Sequence, residues 1–250
     1  MKLVKVKSHE EMSVFAANYI LDKVKSNSQV NLGLATGGTP VRTYELLVDD
    51  YRRNSTYYQN VYTYNLDEYV GIPIDHPNSY HAFMFEHLFN HINIPEKNIH
   101  IPNGLSEDIY EEAHNYETII DGIGGVDLQL LGIGENGHIG FNEPGTPFDR
   151  ETHIVTLTES TRKANSRYFE SLDHVPERAI TMGIASILKS RGILLLASGE
   201  SKAEAISQMF TGKSSIDCPA SVLKYHPNVV VVADEQAVSK LKAAMILSHS

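Results

Sequence analysis

The stretch VNLGLATGGTPVRTYELLVDD, residues 30–50, has the pattern of a strand that passes through a glycine turn into a helix. The apolar run Val30–Leu34 predicts a buried strand, and Val41–Asp50 predicts a helix. The turn between them is Thr36-Gly37-Gly38-Thr39-Pro40. Its glycines allow close approach to a ligand, while Thr39 and Pro40 suit the N-cap and the first helical position. The unpaired N–H groups at such a helix start could bind an anion, although a plain strand-to-helix turn is the alternative.

The same alternation continues along the chain. Further strands are predicted at Val61–Asn65, Leu128–Leu131, Ile154–Leu157, Ala179–Met182, Gly192–Ala197 and Val229–Val232. Further helices are predicted at Met12–Tyr19, Ser79–Phe89, Asp108–Ile120, Glu159–Phe169, Lys202–Phe210 and Glu235–Ala244. Apolar strands between helices indicate one α/β domain over residues 1–250, with a doubly wound, mostly parallel, Rossmann-like sheet and helices on both faces. Ligands of such folds bind beyond the carboxyl ends of the strands.

Composition and charge narrow the class of protein. At 250 residues, with 42% hydrophobic and 21% charged residues, the chain fits one globular domain. The formal net charge of −10 disfavours nucleic acid as a partner. No apolar run is long enough for a membrane span, and the N-terminus lacks a signal-peptide pattern. The single cysteine, Cys218, excludes an internal disulfide and a cysteine-based zinc site. We therefore expect a cytoplasmic protein with no nucleic-acid or membrane partner.

A second glycine-rich stretch, LGIGENGHIGFNEPG, covers residues 131–145. Gly132–Gly137 satisfies the G-x-G-x-x-G fingerprint of dinucleotide-binding proteins, which requires a helix directly after the last glycine. Here Pro144, Pro147 and two more glycines follow, and they disfavour a helix. The fingerprint is therefore interpreted as accidental, and no nicotinamide cofactor is predicted.

The same loop places His138 among Asn136, Asn142 and Glu143. A histidine has an ordinary pKa near ~6.5 and can move protons at neutral pH when a carboxylate orients it. At the end of a strand and among glycines, His138 is predicted to be catalytic. An idle histidine in a turn is the alternative.

Three more sets of residues are candidates for catalysis, anion binding or metal binding. Asp67 and Glu68 follow a strand, where charge repulsion and partial burial raise a carboxyl pKa toward that of a general base; a solvated acidic loop is the alternative. Lys202 begins a predicted helix, where the macrodipole disfavours a cation unless an anion binds there. His87 and His91 have the spacing of a zinc pair, but no third ligand is apparent. No metal is predicted.

Five motifs taken together resemble the glucosamine-6-phosphate deaminase family, also called the glucosamine/galactosamine-6-phosphate isomerase family. They are Thr36-Gly37-Gly38-Thr39-Pro40, Leu66-Asp67-Glu68-Tyr69-Val70-Gly71, Gly137-His138-Ile139-Gly140-Phe141-Asn142-Glu143-Pro144, Ala164-Asn165-Ser166-Arg167 and Ser198-Gly199-Glu200-Ser201-Lys202. Their order and spacing agree with that family across residues 36–202. The third motif is the most specific, since related 6-phosphogluconolactonases differ after their Gly-His.

The resemblance implies conversion of glucosamine 6-phosphate and water to fructose 6-phosphate and ammonia, in amino-sugar catabolism and without a cofactor. It implies that Asp67 is the base for enolisation and that His138, with Glu143, opens the sugar ring. Many members have an aspartate at the position of Asn136. Because an amide cannot exchange protons as a carboxylate does, Asn136 is expected to orient by hydrogen bonding. The 6-phosphate would be bound by Thr36, Gly37, Gly38, Thr39, Arg167 and Lys202.

Two other functions remain open from the sequence: a lactonase-type sugar-phosphate hydrolase on the same fold, and a sugar-phosphate sensor that binds without catalysis. The resemblance also bears on regulation. In allosteric members, basic residues bind N-acetylglucosamine 6-phosphate, and by position they fall on His153 and Val155. Neither side chain is a permanent cation. We therefore expect hyperbolic kinetics, no activation by that ligand, and a monomer or small homo-oligomer.

Overall fold

The computed structural model describes residues 1–166 and 169–242. Its strands are β1 (Lys2–Val6), β2 (Val30–Leu34), β3 (Val61–Asn65), β4 (Asp67–Tyr69), β5 (Ile99–His100), β6 (Leu128–Gly132), β7 (His153–Thr156), β8 (Arg178–Thr181), β9 (Ile193–Ala197) and β10 (Val229–Asp234). Its α-helices are α1 (His9–Ser26), α2 (Val41–Asn54), α3 (Tyr80–His87), α4 (Ile109–Gly122), α5 (Glu159–Asn165), α6 (Ile184–Leu188) and α7 (Ala203–Thr211).

A seven-stranded parallel sheet forms the centre of the molecule, in the order β1-β10-β9-β6-β2-β3-β5. One face packs on α1, α2 and α3 through side chains such as Ile20, Leu47 and Met84. The other face packs on α4, α6 and α7 through side chains such as Ile120 and Met209. The predicted doubly wound α/β fold is confirmed.

A second sheet is small and antiparallel, in the order β4-β8-β7. The strands predicted near 154–157 and 179–182 exist, but they pair here instead of in the parallel sheet. The chain leaves β3 through Leu66, whose N–H bonds to Leu34 O on one side and whose carbonyl accepts from Met182 N on the other. Leu66 thereby joins the two sheets, and β4 starts at the carboxyl edge of the parallel sheet with Asp67.

Several local features differ from the sequence prediction. Strands β1, β4 and β5 and helix α6 were not predicted, because β4, β5 and α6 are at most five residues long and β1 has two lysines among its five residues. Residues 235–240 form turns, so the helix predicted over 235–244 is wrong there, and residues 243 and 244 lie outside the described part. The N-cap of α2 is Pro40 rather than Thr39, because the carbonyl of Pro40 accepts the first helical hydrogen bond, from Tyr44 N. In the part of the chain that is described, no helix is long and apolar enough to cross a membrane.

Candidate active site

A cavity of about 600 Å³ lies at the carboxyl ends of β2, β3 and β6. It is lined by Ala35–Thr39, Leu66, Asp67, Tyr80, Gly132–Asn136, His138, Gly140, Phe141, Thr161, Asn165 and Lys202. The residues predicted from four separate strand ends therefore meet in one place, as the topology of a parallel sheet requires.

Asp67 is the first residue of β4 and pairs with Thr181 of β8. Its side chain is buried, 6% exposed, at the cavity wall. Burial, assisted by the negative charge of Glu68, raises the pKa of Asp67 to about 8. A carboxylate with such a pKa is a much stronger base than an exposed one, and this suits abstraction of a proton from carbon.

Glu68 has a different function from its neighbour. Its carboxylate accepts from the backbone N–H groups of Tyr80 (3.0 Å) and His81 (2.8 Å) at the start of α3, and from Tyr69 N (2.8 Å). Burial raises the pKa of Glu68, and these three N–H donors oppose that effect. Successive side chains on a strand point to opposite faces. Glu68 therefore anchors a helix start, and of the two carboxylates it is Asp67 that lines the cavity.

The loop after β6 contains turns and no helix, which excludes the helix that a dinucleotide fingerprint requires. Gly134 N donates to His138 O, and Gly137 N donates to Gly134 O, so the chain folds back on itself. Gly137 has φ +84°, and a β-carbon there would lie 2.5 Å from Cys218 Sγ. The close approach of Cys218 and the left-handed backbone both require glycine before the histidine.

His138, Asn136 and Glu143 form a hydrogen-bonded chain. Asn136 Oδ1 lies 2.7 Å from His138 Nδ1, and Asn136 Nδ2 donates to Glu143 Oε2 at 2.7 Å. The direct distance from His138 Nδ1 to Glu143 Oε2 is longer, 3.6 Å. Because the amide NH₂ must face the carboxylate, its oxygen faces the histidine, so His138 Nδ1 carries the hydrogen. Nε2 of His138 is then free to accept a proton.

Glu143 is buried, 9% exposed, and is surrounded by donors. Burial opposes its ionisation, but contact with His138 and hydrogen bonds from Thr161 and Asn136 outweigh burial and hold the pKa of Glu143 at about 2. The carboxylate is therefore ionised across the physiological range, as a fixed negative charge behind the histidine. The sequence did not single out Thr161, since nothing distinguishes it from the neighbouring hydroxyl residues.

The residues predicted to bind phosphate divide into two groups. Thr36, Gly37, Gly38 and Thr39, before α2, and Lys202, before α7, line the cavity. Arg167 lies outside the described residues. An anion in this cavity would face both a helix start and a lysine, and this local arrangement is what a chain with a net charge of −10 needs to bind one.

Tyr80 is a further lining residue that the sequence analysis missed. Its ring stacks on Phe141 with centroids 6.1 Å apart, and its hydroxyl is hydrogen-bonded to Thr36 and lies 3.4 Å from that of Tyr69. Asn165 of α5 donates to Tyr69 OH at 2.9 Å. These aromatic residues form the wall between Asp67 and α5. A tyrosine inside a predicted helix gives no sequence signal for such a position.

An acidic cluster lies outside the cavity, at Glu117, Asp121 and Glu151, and it is the group with metal-ligand spacing among the described residues. The ammonium of Lys189 lies among the three carboxylates, at 2.9, 2.5 and 3.0 Å. This lysine neutralises the cluster and joins α4 to the segment before β7. We interpret the cluster as structural.

Comparison with known proteins identifies the family of this chain. The sequence profile described as "Glucosamine-6-phosphate isomerases/6-phosphogluconolactonase" matches residues 7–232. The chain belongs to this family. It is similar to the glucosamine-6-phosphate deaminase of Geobacillus sp. (strain WCH70), with 56% identity over 239 residues, 96% of this chain and 95% of that protein.

Two solved structures are similar to this chain. A structure described as a monomeric glucosamine-6-phosphate deaminase has a TM-score of 0.94 and 49% identity, covering 96% of this chain and 99% of that one. The 6-phosphogluconolactonase from Trypanosoma brucei has a TM-score of 0.79 at 18% identity, covering 96% and 98%. The second comparison concerns the fold alone, while the first extends to sequence. The family resemblance inferred from the five motifs is confirmed.

Proposed function

We propose that this protein is a glucosamine-6-phosphate deaminase, which converts glucosamine 6-phosphate and water into fructose 6-phosphate and ammonia. The observation that carries the proposal is the meeting of Asp67 with His138 and Asn136 in one cavity, with Glu143 hydrogen-bonded to Asn136 behind them. The reaction needs both a ring-opening group and a base for carbon acids, and the cavity provides one of each. Relatives with this name, about half identical over nearly the full chain, support it.

Ring opening is assigned to His138. The free Nε2 accepts the proton of the anomeric hydroxyl and returns it to the ring oxygen, while the C1–O5 bond breaks to give the aldehyde. During this step the imidazole is transiently positive. The ionised Glu143, linked through Asn136, stabilises that charge without itself moving a proton.

Isomerisation is assigned to Asp67. Its carboxylate takes the proton from C2, and the electrons form a C1–C2 double bond. The aldehyde oxygen takes a proton from the C2 ammonium, which gives an enol beside a neutral amine. Asp67 then returns the proton to C1, and the nitrogen lone pair forms an imine at C2. Water adds to this imine, ammonia leaves, and the ketone of fructose 6-phosphate results. The raised pKa of Asp67 gives the carboxylate the basicity that the first transfer requires.

The phosphate is assigned to the start of α2 and to Lys202, with Arg167 added from the sequence. Binding of this remote group holds C1 and C2 between the two catalytic centres. We further propose that the chain acts as a monomer or small homo-oligomer; the similar solved deaminase is described as monomeric. The substrate is a small sugar phosphate.

Lactone hydrolysis is the second candidate, because the family profile and the fold neighbours include lactonases. Hydrolysis of a lactone needs no base that transfers a proton between two carbons, so it leaves Asp67 without a function. Ammonia release from glucosamine 6-phosphate tests the proposal directly. Lactone turnover without ammonia would establish a hydrolase, and binding without either reaction would establish a sensor.

A further inference from the structure

One residue of α5 contacts the ring-opening centre without belonging to the loop after β6. The hydroxyl of Thr161 donates to Glu143 Oε1, the oxygen that Asn136 does not occupy. Each carboxylate oxygen thus has its own donor, from a different element of the fold. A carboxylate with a donor on only one oxygen could rotate about its last bond, whereas two donors fix its plane.

The position of Thr161 is itself fixed by the rest of α5. Thr161 and Asn165 are four residues apart, on one face of the helix, and both line the cavity. Asn165 donates to Tyr69 OH at 2.9 Å. Arg162 donates to the carbonyls of Leu172 (3.0 Å) and Val175 (3.1 Å). The hydroxyl of Thr161 is therefore held beside Glu143 from two directions.

We propose that Thr161 is a positioning residue for ring opening, whose hydroxyl orients Glu143 and, through Asn136, sets the ring of His138. This inference rests on the proposed function, because it assigns Thr161 to a step of that reaction. The chain of contacts runs from the Thr161 hydroxyl to Glu143 Oε1, from Glu143 Oε2 to Asn136 Nδ2, and from Asn136 Oδ1 to His138 Nδ1. Without the Thr161 hydroxyl, the Glu143 carboxylate has a hydrogen-bond donor on Oε2 only.

The test compares three variants. Thr161→Val keeps the shape of the side chain and removes the hydroxyl, whereas Thr161→Ser keeps the hydroxyl. Lys163→Ala is the matched control, because Lys163 forms an exposed ion pair with Glu159 on the same helix. We expect kcat for ammonia release to fall ~10-fold or more in Thr161→Val, the effect of one hydrogen bond to a charged group. KM should change less than about threefold, and both other variants should remain within about threefold of the parent.

A second measurement separates positioning from a general effect on α5. The ¹³C signal of the Glu143 side-chain carboxyl, assigned by its loss in Glu143→Gln, is titrated from pH 3 to pH 7. In the parent it should stay at the ionised position, because the pKa of Glu143 is about 2. In Thr161→Val the midpoint should rise by ~1 pH unit or more, so the signal should move toward the protonated position as the pH falls to 3.

A parent-like kcat in Thr161→Val would overturn the inference, and so would an unshifted Glu143 titration or an equal loss in Lys163→Ala. If the parent itself releases no ammonia, the proposed function fails. The titration would still show whether Thr161 controls the carboxylate, so the two failures are distinguishable.

Discussion

At the scale of single residues, the same chemical group behaves in opposite ways within the candidate site. Asp67 and Glu143 are both buried carboxyl groups, yet the pKa of the first is raised to about 8 and that of the second is lowered to about 2. Burial raises both pKa values, and the difference comes from their neighbours: the negative charge of Glu68 raises that of Asp67 further, while contact with His138 and hydrogen bonds from Thr161 and Asn136 lower that of Glu143. Two carboxyl groups with separated pKa values can serve as base and fixed charge.

The pKa of Asp67 predicts how activity depends on pH. Only the ionised carboxylate accepts a proton, so kcat/KM should rise about tenfold per pH unit below pH 8 and level off above it. Steady-state ammonia release between pH 6 and pH 9.5 measures this. A profile that is flat from pH 6 to pH 8 would show that Asp67 is already ionised in the free enzyme.

Lys202 should affect binding more than chemistry. Lys202→Ala removes a charge-assisted contact with the phosphate, so KM should rise ~10- to 100-fold with kcat nearly unchanged. Lys240→Ala is the control, since Lys240 pairs with Glu204 of α7 at the surface. Titration with a phosphorylated, non-reacting sugar analogue gives the affinity directly. Equal affinity in parent and variant would remove Lys202 from the phosphate site.

At the scale of elements, the buried parallel strands were predictable and the connections were less so. Short continuous apolar runs between turn residues, such as Ile193–Ala197, are typical of buried strands, so the sequence indicates them. By contrast, residues 235–240 have helical periodicity but form turns, which follow the buried Asp234. Its carboxylate accepts from Ser198 Oγ (2.5 Å), Gly199 N (3.1 Å) and Ala237 N (2.8 Å). Such tertiary contacts have no signature in a local pattern.

Asp234 is therefore predicted to stabilise both the fold and the turn that precedes Lys202. Asp234→Ala leaves buried donors unpaired, so the free energy of unfolding should fall by ~2–4 kcal/mol. Urea denaturation measures it. Glu235→Ala should change stability by less than ~0.5 kcal/mol, because its ion pair with Lys5 is exposed. Equal stabilities of the two variants would contradict the anchoring function of Asp234.

At the scale of the whole molecule, the candidate site is the meeting point of segments far apart in sequence. The motifs identified its main residues, because catalytic chemistry restricts which residue types are possible. They did not identify Thr161 or Tyr80, which contribute through contacts that only the fold creates. Residue type alone could not separate Asp67 from Glu68, and only the family resemblance pointed to Asp67, since the direction of each side chain depends on how β4 pairs with β8.

Allosteric regulation is a property of the whole molecule. His153 is hydrogen-bonded to Glu151 O, and burial lowers its pKa, so it is neutral at pH 7, while Val155 has no charge. An effector phosphate would find no permanent cation at these two positions. We expect hyperbolic rate curves that N-acetylglucosamine 6-phosphate leaves unchanged. Sigmoidal curves that become hyperbolic on its addition would contradict this.

The central claim is that Asp67 transfers the proton between C2 and C1 of glucosamine 6-phosphate. The most direct test is ammonia release by the parent and by Asp67→Asn, with binding of a phosphorylated analogue measured alongside. We expect the parent to release ammonia. Asp67→Asn should lose far more than tenfold in rate, where tenfold corresponds to about 1.4 kcal/mol of barrier. Its binding of the analogue should be nearly unchanged. Ammonia release by Asp67→Asn within tenfold of the parent would contradict the central claim.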